Sequence, residues 1–344
     1  MAGTVPMITP GSITAMAGLD TRPVYFVCLN GAAQPTLVVK GDAAGADVSI
    51  KWGSKLMKNV NNDLVNTKIM TPVEINVFRQ FGLATFAANT PQRNNLGGAY
   101  TWVKMPMVQG LSDAGFVSDD LHPQAKDMRG TIAKLLKLAA WVDLGKVLAV
   151  DIFIGNNDRF QVLDGQGAPL GSWNNKGNLM FVGNTRVIGL DTFDPASDRS
   201  NLTAHGHFDA LLILTDPGRR NAFATACAAD VGRELRRACQ RSDLTQFTIP
   251  ADPPATPLPY KIIVANLPQL FVPYATSLAA GIAQGANDLK VYLQNKVRQY
   301  APPPVRRVFI GVRPGLLPPP PPPPPKVLPQ GILDRMTFLG WLPL

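Results

Sequence analysis

The sequence is poor in the residues that staple or metallate small domains. It has three cysteines and three histidines in 344 residues. Cys28, Cys227 and Cys239 form no CxxC pair and lie in apolar or helical stretches, which fits buried, reduced thiols in a reducing compartment. His122, His205 and His207 show no metal-site spacing, and His205-Gly206-His207 reads as loop. No apolar run reaches about 18 residues, so no transmembrane helix is expected. GxxxxGK[ST] does not occur, which removes support for a P-loop NTPase. The start, MAGTVPMITPGSITAMAGLD, lacks a basic region followed by a continuous apolar one, so it is no ordinary secretory signal. Residues 1–22 read as a flexible leader. The expected location is the cytoplasm, or a host cell reached as an effector through a dedicated injection machinery.

Hydrophobic residues make up 46%, enough for one two-lobed domain or two small domains with a real core. The net charge is +9, and Arg219, Arg220, Arg233, Arg236, Arg237 and Arg241 contribute a basic stretch. On a helix Arg233, Arg236 and Arg237 share one face. Such a face is either simply solvated or meets an acidic partner, an anionic lipid or protein surface or a nucleic acid. There is no strong nucleic-acid signal, because aromatic residues are not interleaved with the arginines.

The chain is organised around residues 148–193. LAVDIFIGNNDRF reads as the end of a buried helix and a tight polar loop. Leu179-Met180-Phe181-Val182 and Val187-Ile188-Gly189-Leu190 read as two strands, with Gly183-Asn184 as a hairpin turn. A hairpin would bring Asn178 and Asp191 to one end of the pair. Asp158 follows the turn-forming Gly155-Asn156-Asn157. An Asp and an Asn carbonyl suit Mg²⁺, which takes oxygen ligands. A further carboxylate suits the hydroxyl-orienting role in phosphoryl transfer. Each of these residues also has an ordinary role open to it, as cap or turn former.

The order of these parts resembles the catalytic core of atypical kinases, above all the HipA-like bacterial kinases and the phosphoinositide 3- and 4-kinases. There an apolar helix leads into a G-N-x-D-R-H loop, then an Asn, then a strand ending in Asp. The matching residues are Gly155-Asn156-Asn157-Asp158-Arg159, then Asn178-Leu179-Met180, then Leu190-Asp191-Thr192. The strongest match covers residues 148–193, with weaker similarity over most of residues 24–300. The resemblance implies ATP and Mg²⁺ as cofactors, Asp158 as catalytic base, and Asn178 and Asp191 as metal ligands. Two departures stand out. Phe160 replaces the His, and residues 160–177 form an insertion that reads as an extra hairpin or flap and leaves Asn174 or Asn175 as alternatives to Asn178.

Upstream, Val24–Leu29 and Thr36–Lys40 read as a hairpin. In a kinase-like lobe its second strand carries the phosphate-binding lysine. Lys40-Gly41-Asp42 is similar to the lysine-bearing strand end of phosphoinositide kinases, and Lys51, on the β-like run Val48–Lys51, is a competitor. TPVEINVFRQFG at 71–82 reads as a helix. Its Glu74 either orients Lys40 by the kinase rule or merely suits the helix dipole. Ala99–Met107 reads as a strand leading to a hinge, with Met105 and Met107 lining an adenine slot or ordinary core. Residues 124–153 read as one long helix, with further helices at 207–215, 217–241 and 272–300.

The last segment differs in kind. Pro318–Pro325 is an unbroken proline run, a polyproline II rod of roughly 25 Å. It reads as a stiff spacer or a ligand for an SH3, WW or profilin-like partner. Residues 332–341 read as an amphipathic segment that packs back on the body or engages a partner.

The expected fold is therefore α+β, a two-lobed protein-kinase-like fold. Leader 1–22 precedes a β-rich N-lobe at 23–107, a mainly helical C-lobe at 108–300 and a proline-rich tail at 301–344. The expected function is a kinase acting on a protein Ser or Thr. A phosphoinositide kinase, an AMP-transferring enzyme and a non-catalytic kinase-like adaptor are the alternatives.

Overall fold

The computed structural model describes residues 5–61, 67–107, 111–112, 128–164, 166–174, 178–182, 186–190, 208–241, 243–249, 260–300 and 327–343. Its architecture is α+β, an N-terminal five-stranded antiparallel sheet followed by a largely helical region.

Strands β1 (Ile13–Gly18), β2 (Val24–Leu29) and β3 (Leu37–Asp42) form a meander. Helix α1 (Asp47–Asn61) follows, then β4 (Lys68–Ile69), α2 (Pro72–Thr85), α3 (Pro91–Leu96) and β5 (Thr101–Pro106). The sheet order is β1-β2-β3-β5-β4. β1 corrects the reading of residues 1–22 as a leader. Ile13 and Met16 are buried, and the strand pairs with β2 along its length. Val5 and Ile8 are buried as well. Ala15, Ala17 and Gly18 disguised the strand, because alanine and glycine have weak strand propensity.

Register assigns the two faces of the sheet. Residues paired directly across antiparallel strands point to the same side. Tyr25, Val39 and Lys104 form one cross-strand row, and Val24, Lys40 and Val103 form the next. Successive rows face opposite ways. The Tyr25 side buries Val27, Leu37 and Trp102 against Phe78 of α2 and Leu96 of α3. Phe78 meets Tyr25 edge-on at 5.2 Å and Trp102 at 5.3 Å. The other side packs Val103, with half-buried Met105 and Ile69, against Ala46 and Ile50 beside and within α1. Residues 48–51 are thus helix, not strand. Their short β-like run is overridden because α1 buries Ile50, Leu56, Met57 and Val60 at near-helical spacing.

α2 begins where the sequence places it. Thr71 caps it, and its hydroxyl and the Glu74 side chain satisfy each other's backbone amides with Pro72 at the first turn.

After β5 the chain enters a second, three-stranded sheet. β6 (Leu111–Ser112) pairs with β9 (Leu179–Val182), which pairs with β10 (Arg186–Gly189). Between β6 and β9 lie α4 (Met128–Leu135), α5 (Leu138–Ile154) and the hairpin of β7 (Phe160–Leu163) with β8 (Pro169–Trp173). The single helix expected at 124–153 is two. Lys137 is extended, and the indole of Trp141 and the hydroxyl of Tyr274 donate to the end carbonyls of α4, Leu135 and Leu136. These partners replace the backbone bonds a continuous helix would have made.

Helices α6 (Leu212–Thr215) and α7 (Pro217–Arg241), strands β11 (Gln246–Ile249) and β12 (Tyr260–Ile263), then α8 (Leu267–Leu270), α9 (Ala275–Tyr300) and α10 (Gln330–Phe338) complete the chain. α5 is the central helix and crosses α9 at backbone contact. A Cβ on Gly145 would strike the Leu278 carbonyl, and one on Gly281 would strike the Val142 carbonyl. On its side away from the sheet, α1 joins this core through Leu56, Met57 and Val60.

The proline run 318–325 lies outside the described residues. The chain beyond it is not a free tail. Ile332, Met336 and Trp341 are buried in the main core, and Trp341 stacks on Phe153 of α5 at 5.7 Å. Of the two roles open to residues 332–341, packing back on the body is the one observed. Among the described residues no helix is long and apolar enough to cross a membrane. The three cysteines are buried and unpaired. Burial pushes the Cys227 thiol well above the ordinary range and Cys239 to about 11.

Candidate functional site: a polar ring at the end of the central helix

α5 ends at Gly155, whose φ of 81° is the left-handed cap that turns the chain out of the helix. The GNNDR loop follows and closes a hydrogen-bonded ring of five residues. Asp151, in the last turn of α5, forms an ion pair with Arg159. Arg159 Nε donates to the Asn178 carbonyl at 3.1 Å. The Asn178 side-chain amide donates to Asp158 Oδ2. The Asp158 backbone amide donates to Asn156 Oδ1 at 3.0 Å, and Asn156 Nδ2 donates back to Asp151 Oδ1 at 3.2 Å. Asp151, Asn156 and Arg159 are 0–1% exposed, whereas Asp158 and Asn178 are half-buried. The buried three thus form a base on which the accessible two are presented.

Burial pushes the Asp151 carboxyl up to about 6, against the pull of the Arg159 guanidinium and the Asn156 amide. The guanidinium fits because residue 189 is glycine. A Cβ there would stand 2.6 Å from Nη2 and 2.8 Å from Cζ.

The β9–β10 hairpin pairs Val182 with Arg186 through to Leu179 with Gly189, and the expected turn Gly183-Asn184 lies outside the described residues. Leu190 N donates to Asn178 O at 2.9 Å, so Asn178 and Leu190 sit at the same end. Asp191 is the next residue but lies outside the described residues. Asn174 is exposed and donates to the Asn157 carbonyl, whereas Asn178 is the asparagine on Asp158. Asn175 lies outside the described residues.

The insertion is a hairpin built into the core. Phe160, where the resembled kinases carry a His, is fully buried and stacks on Trp173 at 5.7 Å. Asp230 of α7 accepts from Trp173 N at 2.7 Å. Gly171 brings β8 against the α7 backbone, where a Cβ would stand 2.6 Å from Cys227 N.

In the first sheet the expected pairing of Lys40 with Glu74 is corrected. Glu74 lies on the α2 side and takes the Lys104 ammonium and the Ile8 amide, the latter at 3.0 Å. Lys104 also donates to Pro6 O at 2.7 Å. Lys104 and Glu74 are each 3% exposed beneath this N-terminal segment, so the pair is structural. Lys40 lies in the opposite-facing row and pairs with Asp42 of its own strand at 2.8 Å. The lysine is 23% exposed and the aspartate 7%. Met105 shares the Lys40 face through its pairing with Val38, while Met107 is exposed just past β5. Lys51 lies exposed on α1.

Burial pushes Glu74 upward, but its bonds to Lys104, Thr71 N and Ile8 N outweigh this and leave its carboxyl below the ordinary value of 4.5. The stability it contributes is therefore complete above about pH 4.5 and lost as pH falls through the lower folded-state value. Acid titration of Glu74→Gln beside the parent checks this. The parent should lose stability more steeply below that pH, and parallel curves would count against it.

The donors at the ring are oxygens, the chemistry that suits Mg²⁺. Asn178 gives its Nδ2 to Asp158, which leaves its carbonyl Oδ1 for a cation. Among the described residues no three His, Cys, Asp or Glu converge as a metal cluster. Of the two expected metal ligands, Asn178 is at the ring and Asp191 lies outside the described residues. On α7, Arg233, Arg236 and Arg237 are exposed, but Asp230 and Glu234 hold Arg233 and Arg237, which reduces the basic face. No protein-family model matches the chain, and no curated protein matches it.

Proposed function

We propose that the chain is a kinase that transfers the γ-phosphate of ATP to a hydroxyl, with a protein serine or threonine as the substrate class. The observation that carries this reading is the Asp158–Asn178 contact at the hairpin end from which Asp191 follows. Phosphoryl transfer requires positioning and charge compensation more than covalent chemistry. Asp158 orients the attacking hydroxyl and accepts its proton. Asn178 and Asp191 would hold Mg²⁺, which would supply positive charge against the phosphates. Lys40, on the third strand as in protein kinases, binds the phosphates, and Met105 on the same face lines the adenine slot. Asp42 takes over the lysine-orienting part expected of Glu74. The two-lobed kinase arrangement is part of this proposal. It is supported by the antiparallel sheet and the helical region with its central helix, loop and hairpin.

A non-catalytic adaptor on the same scaffold is the second reading. The commitment of Glu74 to Lys104 favours it, since it removes a carboxylate from the expected lysine site. Thermal melts with and without Mg²⁺ and ATP separate the two. A kinase gains about 2.7 kcal/mol at a ligand concentration of 100 Kd. Lys40→Met should lose most of that gain, read against its own nucleotide-free melt, which drops because buried Asp42 loses its lysine. An absent gain in the parent protein would favour the adaptor.

A further inference from the structure

We infer that Arg159 is a positioning residue that sets the geometry of Asp158 and Asn178, with Asp151 as its counter-ion and Gly189 as the gap that admits its guanidinium. The chemical half of this inference rests on the kinase reading, while the geometric half stands on the ring alone.

A fully buried ion pair is a poor device for stability. Desolvating both charges costs about as much as their attraction returns, and apolar replacements of similar volume are often neutral or better. What the pair does provide is direction. Arg159 presents a planar fork. One nitrogen meets Asp151 on α5 and another meets the carbonyl of Asn178 at the start of β9. The side chain of that same asparagine reaches Asp158. The helix end and the strand start are therefore fixed to each other through one rigid group. Asn156 closes the second path from Asp151 to the Asp158 backbone. Two paths from one buried carboxylate converge on Asp158, which leaves its side chain little freedom relative to Asn178.

Lysine at 159 keeps the charge and can pair with Asp151, but one ammonium cannot also hold the Asn178 carbonyl in a fixed plane. Gly189→Ala reaches the same end from the other side. It changes no polar group, yet its methyl enters the space of the guanidinium, 2.6 Å from Nη2. A shift on the order of 1 Å at a catalytic group costs about 10²-fold in rate.

The test compares the parent protein with Arg159→Lys and Gly189→Ala. The first readout needs no activity. In side-chain amide NMR spectra, the Asn178 signal is identified by its loss in Asn178→Ala. It should move and exchange faster with solvent in both variants, while most other side-chain amides stay in place. The second readout is turnover with Mg²⁺ and ATP. The kcat should fall on the order of 10²-fold and the half-saturating Mg²⁺ concentration should rise, with KM for ATP nearly unchanged. Thermal melts should remain cooperative.

An Asn178 signal unmoved in both variants would overturn the inference. So would a moved signal accompanied by parental kcat and Mg²⁺ dependence. If the parent shows no turnover but the signal moves, the positioning claim stands and the kinase reading falls. If Arg159→Lys fails to fold, Gly189→Ala decides by the same readouts.

Discussion

Asp158→Ala should lose about 10²–10⁴ of the transfer rate, the usual contribution of a positioned general base. Binding of Mg²⁺ and ATP should survive, because the phosphates and the cation are assigned to Lys40, Asn178 and Asp191. The loss should therefore fall on kcat and leave KM for ATP within a few-fold. Stability should change little. Asp158 is half-buried, and Asp151, Arg159 and Asn156 retain their own bonds to one another. Steady-state kinetics beside thermal melts check the split. An equal loss of kcat and of the folded fraction would make Asp158 a structural residue.

Lys104→Met should cost about 3–5 kcal/mol of stability, the range for removing one partner of a buried ion pair. Glu74 would remain beneath residues 6–8 with the Ile8 and Thr71 amides and the Thr71 hydroxyl, all uncharged, to compensate its charge. Without Lys104 the Glu74 carboxyl loses the partner that pulls it down most, so this variant should lose stability less steeply with acid than the parent. Glu74→Gln in the Lys104→Met background should recover a large part of the loss, and the double variant should lose less than the sum of the singles. Denaturant melts of the four proteins measure this. Additive losses would mean that the two side chains are not coupled.

The local parts of the molecule were readable from sequence. Alternating apolar runs and turn residues gave β2–β3, β5 and β9–β10, and Thr71-Pro72 with Glu74 gave the start of α2. The identity of the lysine partner was not readable, because it depends on which way each strand side chain faces. Register settles that, and register depends on pairings distant in sequence. Lys40 and Lys104 both lie on sheet strands, yet they occupy opposite-facing rows.

Asp151 and Arg159 were missed for a different reason. An aspartate within the apolar run LAVDIFI is a visible signal, since a buried carboxylate demands a partner. Arg159, eight positions later in a polar loop, gives no sign of its own burial. Phe160 marked a departure from the resembled pattern, and the structure supplies its reason: it packs against Trp173 in the inserted hairpin.

The central claim is that the ring at the end of α5 serves phosphoryl transfer. The most direct measurement incubates the full chain with Mg²⁺, a cell extract as a source of substrate and activator, and ATP labelled at either the γ or the α phosphate. Transfer from γ-labelled ATP alone, absent in Asp158→Ala, is the predicted result. Transfer from α-labelled ATP would make the chain a nucleotidyl transferase. No transfer from either label would contradict the kinase account.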